Sequence, residues 1–238
     1  EKLGEKVPLD LTFMDEEGQP VKLGDLVDRP TILSLVYYRC PGICGPLMGG
    51  VSEVLDRIQD AVPGKDFRVL TISFNAEETA EMAGRKKANY YKSFHREMSP
   101  DAWRFLTGTQ ANIDAIASAV GFQYEPAGNE WVHPAAIMVL TPDGMVSRYL
   151  YGVSFLPFDV KMALMEASEG RTGPTINKVL LYCFSYDPEG KTYVFNILKV
   201  TGSVTLFFLG LFVVSLVVST RRYRRRENAS RTGASTEE

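Results

Sequence analysis

Two cysteines with three residues between them, in the stretch Tyr37-Tyr38-Arg39-Cys40-Pro41-Gly42-Ile43-Cys44-Gly45-Pro46, are suited to soft-metal binding or thiol redox chemistry. At that spacing both sulfurs can meet one metal ion or each other, and the spacing leaves the choice open. The elements that must position them are legible on either side. Thr31-Ile32-Leu33-Ser34-Leu35-Val36 is a short apolar run bounded by Pro30 and rich in β-branched residues, which predicts a buried strand. After the cysteines, Leu47, Val51, Val54, Leu55 and Ile58 recur at helical spacing. Cys44 is therefore expected near a helix N-terminus, where unpaired N–H groups and the helix dipole favour thiolate over thiol.

Composition excludes some classes of function. The chain has 238 residues, of which 23% are charged, ordinary for a folded protein, and its formal net charge of -3 argues against a nucleic-acid surface. Three cysteines are too few for a disulfide scaffold, and the odd count leaves at least one thiol unpaired. The chain starts Glu-Lys-Leu-Gly, which is expected of a processed form whose signal segment has been removed.

Residues 200–220 carry no charge, and a helix over them would span about 30 Å, the thickness of a bilayer core. Arg221, Arg222, Arg224, Arg225 and Arg226 follow directly. The positive-inside tendency keeps them cytoplasmic and places everything before residue 200 on the periplasmic, extracytoplasmic side. The expected organisation is a domain over 1–170, a hairpin and juxtamembrane linker over 171–199, a transmembrane helix over 200–220 in the cytoplasmic (inner) membrane, and a basic then disordered tail over 221–238.

Within the first domain, a hairpin is expected around Glu16-Glu17-Gly18, then the strand at 31–36 and a helix running to about Val62. Phe67 to Phe74 reads as a second strand, and Asn75 as the cap of a helix reaching about His95, with Glu77, Glu78 and Glu81 as its solvated first turn. Trp103 to Leu106 is a third strand, and Thr109 caps a helix over 113–120. Ala127-Gly128-Asn129 reads as a flexible loop. Ala136 to Leu140 is a fourth strand, Pro142-Asp143-Gly144 a turn, Met145 to Tyr151 its hairpin partner, and 156–167 a last helix. A second hairpin is expected about Asp187-Pro188-Glu189-Gly190. Strands alternating with helices, with a dithiol between the first long strand and helix, predict an α/β fold with a mixed sheet of thioredoxin-like layout.

The dithiol after an aromatic-rich strand, and Val132-His133-Pro134 leading into a strand about ninety residues later, resemble the SCO/SenC copper chaperones of cytochrome oxidase assembly. The likeness covers roughly residues 8–170. It implies one copper ion held by Cys40, Cys44 and His133, with the copper-containing subunit of a respiratory terminal oxidase as partner. The chain departs from the family pattern in three places. Gly45 stands between the second cysteine and Pro46, Asn75 stands where an aspartate is usual, and the expected anchor is C-terminal.

Two thiolates and an imidazole suit Cu(I), whereas structural zinc wants a fourth ligand that is not evident. A binuclear copper site would need a further His close after Cys44, and residues 45–52 contain none. Three functions remain in view: delivery of copper, thiol–disulfide exchange through Cys40 and Cys44 on partner cysteines, and an accessory subunit of a respiratory membrane complex. A peroxidase is a weaker variant in which Arg39 would flank the thiol. His95 reads as a solvated surface residue, Cys183 as an inert thiol, and Met82, Met98, Met138, Met145, Met162 and Met165 as core packing.

Overall fold

The computed structural model describes residues 1–128, 130–173, 184–187 and 192–195, together with Thr205, Phe208, Leu209 and Phe212. The chain divides into two units, Glu1–Thr175 and Ile176–Glu238.

The first unit opens on the expected hairpin, β1 (Thr12–Met14) antiparallel to β2 (Pro20–Lys22). Gly18 turns it at φ 77°, a conformation that strains any side chain. The hairpin is fastened to the body through Glu16. Its buried carboxylate accepts from Arg104 Nε (2.8 Å) and the N–H of Phe105 (3.1 Å), and pairs with Lys87. A buried charge persists only when so many donors compensate it.

A short helix, α1 (Leu23–Leu26), leads into β3 (Thr31–Val36), which is buried at all six positions. After it come α2 (Cys44–Arg57), β4 (Arg68–Ser73), α3 (Ala80–Lys92), β5 (Trp103–Leu106) and α4 (Gln110–Ala119). A small hairpin of β6 (Glu125–Ala127) and β7 (Glu130–Val132) precedes β8 (Ala136–Leu140), β9 (Val146–Tyr151) and α5 (Pro157–Ser168). The central sheet has the order β5-β4-β3-β8-β9. β3, β4 and β5 run parallel, while β8 and β9 are antiparallel. This is the mixed sheet with flanking helices expected of a thioredoxin-like α/β fold. β3, β4 and β8 are buried at every position, as in a sheet covered on both faces. The hydroxyls inside the sheet at Ser34 and Thr71 are paired: Ser34 Oγ lies 2.8 Å from Thr71 Oγ1, which also accepts from Trp103 Nε1 at 2.7 Å.

Four local expectations are corrected. α2 ends at Arg57, short of Val62, and α3 ends at Lys92, short of His95. The α3 cap is Thr79, whose hydroxyl accepts from Met82 N; Asn75 instead makes a turn in which its Oδ1 accepts from Glu77 N at 3.0 Å. Ala127, expected in a flexible loop, is the last residue of β6 and pairs with Glu130 of β7.

In the second unit, β10 (Phe184–Asp187) and β11 (Thr192–Phe195) pair antiparallel with Asp187 opposite Thr192, the expected hairpin. Cys183 and the tail over 221–238 lie outside the described residues, as does the expected span over 200–220 apart from Thr205, Phe208, Leu209 and Phe212. Among the described residues no helix is long and apolar enough to cross a membrane.

Candidate metal centre

The last ladder contact at the C-terminal end of β3 is Phe74 N to Val36 O at 2.8 Å. Beyond it the backbone leaves the sheet and turns into α2. Tyr38 points inward, where its hydroxyl donates to the carbonyls of Leu106 (2.8 Å) and Thr71 (3.1 Å). The N–H groups of Tyr38 and Arg39 donate to Glu78 Oε2 (2.6 Å) and Oε1 (2.8 Å). Cys40 N turns back to Tyr37 O at 3.1 Å, closing the bend that presents the thiol.

Glu78 was not legible as part of the site. Expected beside Glu77 and Glu81 on a solvated first turn, it is 4% exposed while those two remain in solvent. Reading Thr79 as the cap would have placed Glu78 in the loop before the helix, facing the dithiol turn.

His133 reaches the same place from the far side of the sequence. The β6–β7 hairpin ends one residue before it and is seated by aromatic packing. Trp131 meets Tyr124 at 5.4 Å and Phe74 at 6.1 Å, and Phe74 stacks on Tyr124 at 4.7 Å. The imidazole is then enclosed by Phe74 (5.2 Å), Phe122 (6.0 Å) and Tyr37 (6.1 Å). Its Nδ1 lies 3.1 Å from the carbonyl of Pro134, which can only accept, so Nδ1 carries the hydrogen and Nε2 the free lone pair. That lone pair faces Cys44 Sγ at 3.3 Å.

The ligand atoms of Cys40, Cys44 and His133 all lie within 4.8 Å of one another. Donors bound to one ion at roughly 2.0–2.3 Å stand about 3.5–4 Å apart, so a small closure brings all three onto a single metal. The thiols are not bonded to each other. Two sulfurs and a neutral imidazole are a soft set with few ligands, which fits a monovalent copper ion better than a hard cation.

The two thiols differ in an unexpected direction. Burial pushes the Cys44 thiol up to about 12, against the lowering effect of the Tyr37 N–H. Burial also raises Cys40, but the N–H of Cys44, the Tyr37 hydroxyl and the N–H of Gly42 all donate to its sulfur and bring it below its ordinary value. The helix N-terminus thus serves Cys40, the sulfur one turn outside it. Tyr37 is a site residue that sequence reasoning assigned only to packing. Burial and its bond to Cys40 push its hydroxyl up to about 12, so it remains a donor.

Other candidates fall away from this cluster. Arg39 directs Nε to Glu78 Oε1 at 3.7 Å, with its side chain 55% exposed. His95 pairs with Asp56 at 2.5 Å on the surface, as expected of a solvated residue. Met138 lies in the core, but Met165 is exposed, so the methionines are not uniformly core packing. Gly45 sits in the first turn of α2 with open space around it, and Pro46 follows where a missing N–H costs little.

A family model described as SCO1/SenC matches residues 2–154. No curated protein matches. Among solved structures, a putative electron transfer protein from Aquifex aeolicus VF5 is 28% identical at a TM-score of 0.64, covering 74% of this chain and 99% of that one. Arabidopsis thaliana ScoI, solved with copper bound, is 20% identical at a TM-score of 0.54, over 71% of this chain and 99% of that one. BsSco, described as a member of the Sco family of cytochrome c oxidase assembly proteins in which a disulfide switch was identified, is 22% identical at 0.56, over 71% and 96%. By the family match over most of its length, with the fold shared by these neighbours, the chain belongs to the SCO1/SenC family.

Proposed function

We propose that the chain is a copper-binding assembly factor that receives Cu(I) at Cys40, Cys44 and His133 and passes it to the copper-containing subunit of a respiratory terminal oxidase. The observation that carries this reading is the convergence of the three donors within 4.8 Å. Family membership and the copper held by the Arabidopsis neighbour support it.

The site orders the exchange. Cys40 is the more accessible and more acidic thiol, so it meets the incoming ion first. Binding at Cys44 requires loss of its proton, and the Nε2 lone pair beside it is the nearest acceptor. His133 then supplies its own lone pair once that proton has passed to solvent. Release reverses the order: an incoming thiolate displaces Cys40 first, with no need to open the buried side of the site.

The proposed location is the outer face of the cytoplasmic membrane, with 200–220 as the anchor. The support is the uncharged run and the arginines after it. Anaerobic titration of the reduced chain with Cu(I) tests the central proposal. One ion per chain is expected, and a Cys44→Ser variant that keeps full stoichiometry would end it.

The unequal thiols favour a second reading, thiol–disulfide exchange. An acidic, accessible Cys40 is the attacking sulfur, and a buried, protonated Cys44 is the resolving one. Exchange activity that survives His133→Ala would support it.

A further inference from the structure

The backbone that carries Cys40 leaves the sheet before it reaches the cysteine. β3 ends at Val36, opposite Ser73 of β4, and one further backbone bond, Phe74 N–H to Val36 O, closes the ladder. Past it, the Tyr37 N–H is directed to the Cys44 sulfur, and the N–H groups of Tyr38 and Arg39 lie beyond the strand pairing. Both go to one carboxylate, Glu78, one oxygen each, at 2.6 and 2.8 Å. Ser73 Oγ, at the end of β4, donates to the same group at 2.6 Å. The Glu78 side chain is 0% exposed, and the Arg39 guanidinium is 3.7 Å away and half in solvent. A carboxylate this deep is held by its three hydrogen bonds more than by an ion pair.

The acid thus stands in for a missing strand. It links the end of β4, the loop before α3 and the two residues ahead of Cys40, and its two oxygens set where the peptide between Tyr38 and Arg39 lies. Cys40 N is already committed to Tyr37 O. With the preceding peptide clamped as well, the bend has little freedom to swing the sulfur.

We propose that Glu78 is the positioning residue of the thiol pair: by clamping the N–H groups of Tyr38 and Arg39 it holds Cys40 where one Cu(I) ion can meet Cys44 and His133 as well. This rests on the copper-binding reading above. Glu78 touches neither sulfur nor imidazole and acts only through the backbone.

Two variants of the full chain separate geometry from charge. Glu78→Asp keeps the charge but is one methylene too short to reach both N–H groups. Glu78→Gln keeps the length but turns one acceptor oxygen into an amide NH2 donor that faces a donor. Each is reduced, loaded anaerobically with Cu(I) against bicinchoninate, and its melting temperature recorded. The expected result is at least a tenfold fall in Cu(I) affinity in both, with a shifted thiolate-to-copper charge-transfer band in the Cu(II)-loaded form. Wild-type affinity and band in both variants overturn the proposal, and so does loss of the fold in both, which makes Glu78 structural only. Should the wild-type chain bind no Cu(I), the copper reading fails by itself. The clamp is then decided by the Cys40–Cys44 reduction potential. A looser bend favours the open dithiol, so a rise of about 30 mV, tenfold in the equilibrium constant, supports it, and an unchanged potential overturns it.

Discussion

His133 Nε2 lies 3.3 Å from Cys44 Sγ although 89 residues separate them in the chain. The ring is poised by two contacts of opposite kind: the Pro134 carbonyl that takes the Nδ1 hydrogen, and the aromatic wall of Phe74, Phe122 and Tyr37. The hydrogen bond selects the tautomer, and the wall fixes the ring's position.

Removing the imidazole should separate metal binding from thiol chemistry. His133→Ala leaves both sulfurs but takes away the third donor, so Cu(I) affinity should fall at least 100-fold, about 2.7 kcal/mol. The Cys40–Cys44 reduction potential should fall only modestly, by about 20 mV, because the dithiol loses a single hydrogen bond of about 1 kcal/mol, that of Cys44 Sγ to Nε2. Competition against a Cu(I) chelator and redox titration of the same sample check both halves.

The thiols should respond to pH separately. Cys40, acidified by the hydrogen bonds its sulfur accepts, should be alkylated by iodoacetamide at neutral pH, while Cys44 reacts appreciably only as pH approaches 12. Because binding at Cys44 releases its proton, Cu(I) affinity should rise with pH throughout the neutral range, up to about tenfold per unit. The stability sign is opposite. The folded Cys44 lies above its unfolded value near 8.5, so its contribution is fully present below that pH and is lost as pH climbs towards 12. Mass-resolved alkylation, and melting curves from pH 7 to 11, test the two signs independently.

Trp131 carries no chemistry, yet it should matter to the site. It packs on Phe74 and Tyr124 and so seats the hairpin that delivers His133. Trp131→Ala should weaken Cu(I) binding about tenfold while costing less global stability than a core aromatic, since the side chain is only half-buried. A melting temperature that collapses with unchanged copper affinity would reverse that assignment.

Legibility in the sequence followed the range of the interactions. β3, β4 and β8 announce themselves because six or five consecutive buried positions demand apolar residues, and the dithiol turn stands between a strand and a helix that are each locally encoded. The β6–β7 hairpin hid because β6 is exposed at every residue and includes Pro126, so neither alternation nor β-branched enrichment marks it. It is held by Phe74 and Tyr124, which no local pattern records. Glu78 hid for the same reason, since its partners lie about 40 residues back. The sequence predicts an acidic Cys44 because a helix N-terminus can be read from it, whereas the burial that raises this thiol depends on what the fold packs around the sulfur.

The same helix that presents Cys44 is constrained from behind at Gly50. A Cβ built there would fall onto the carbonyl of Val153, with the Phe155 ring 3.4 Å away. The obstacle is backbone, which cannot rotate aside as a side chain can, so either α2 or the loop over 152–155 must move. Gly50→Ala should therefore cost about 3 kcal/mol, at the upper end of overpacking penalties. For a chain of this size that corresponds to a melting temperature lower by about 10 °C. Because Cys44 lies at the start of the same rigid helix, the displacement should also reach the metal centre and weaken Cu(I) binding. A variant with Ala at Gly49, where a Cβ meets nothing within 4 Å, is the matched control and should be at least as stable as the parent, since alanine favours the helix. Equal melting temperatures for the two variants would mean that α2 and the loop over 152–155 are not in the contact described.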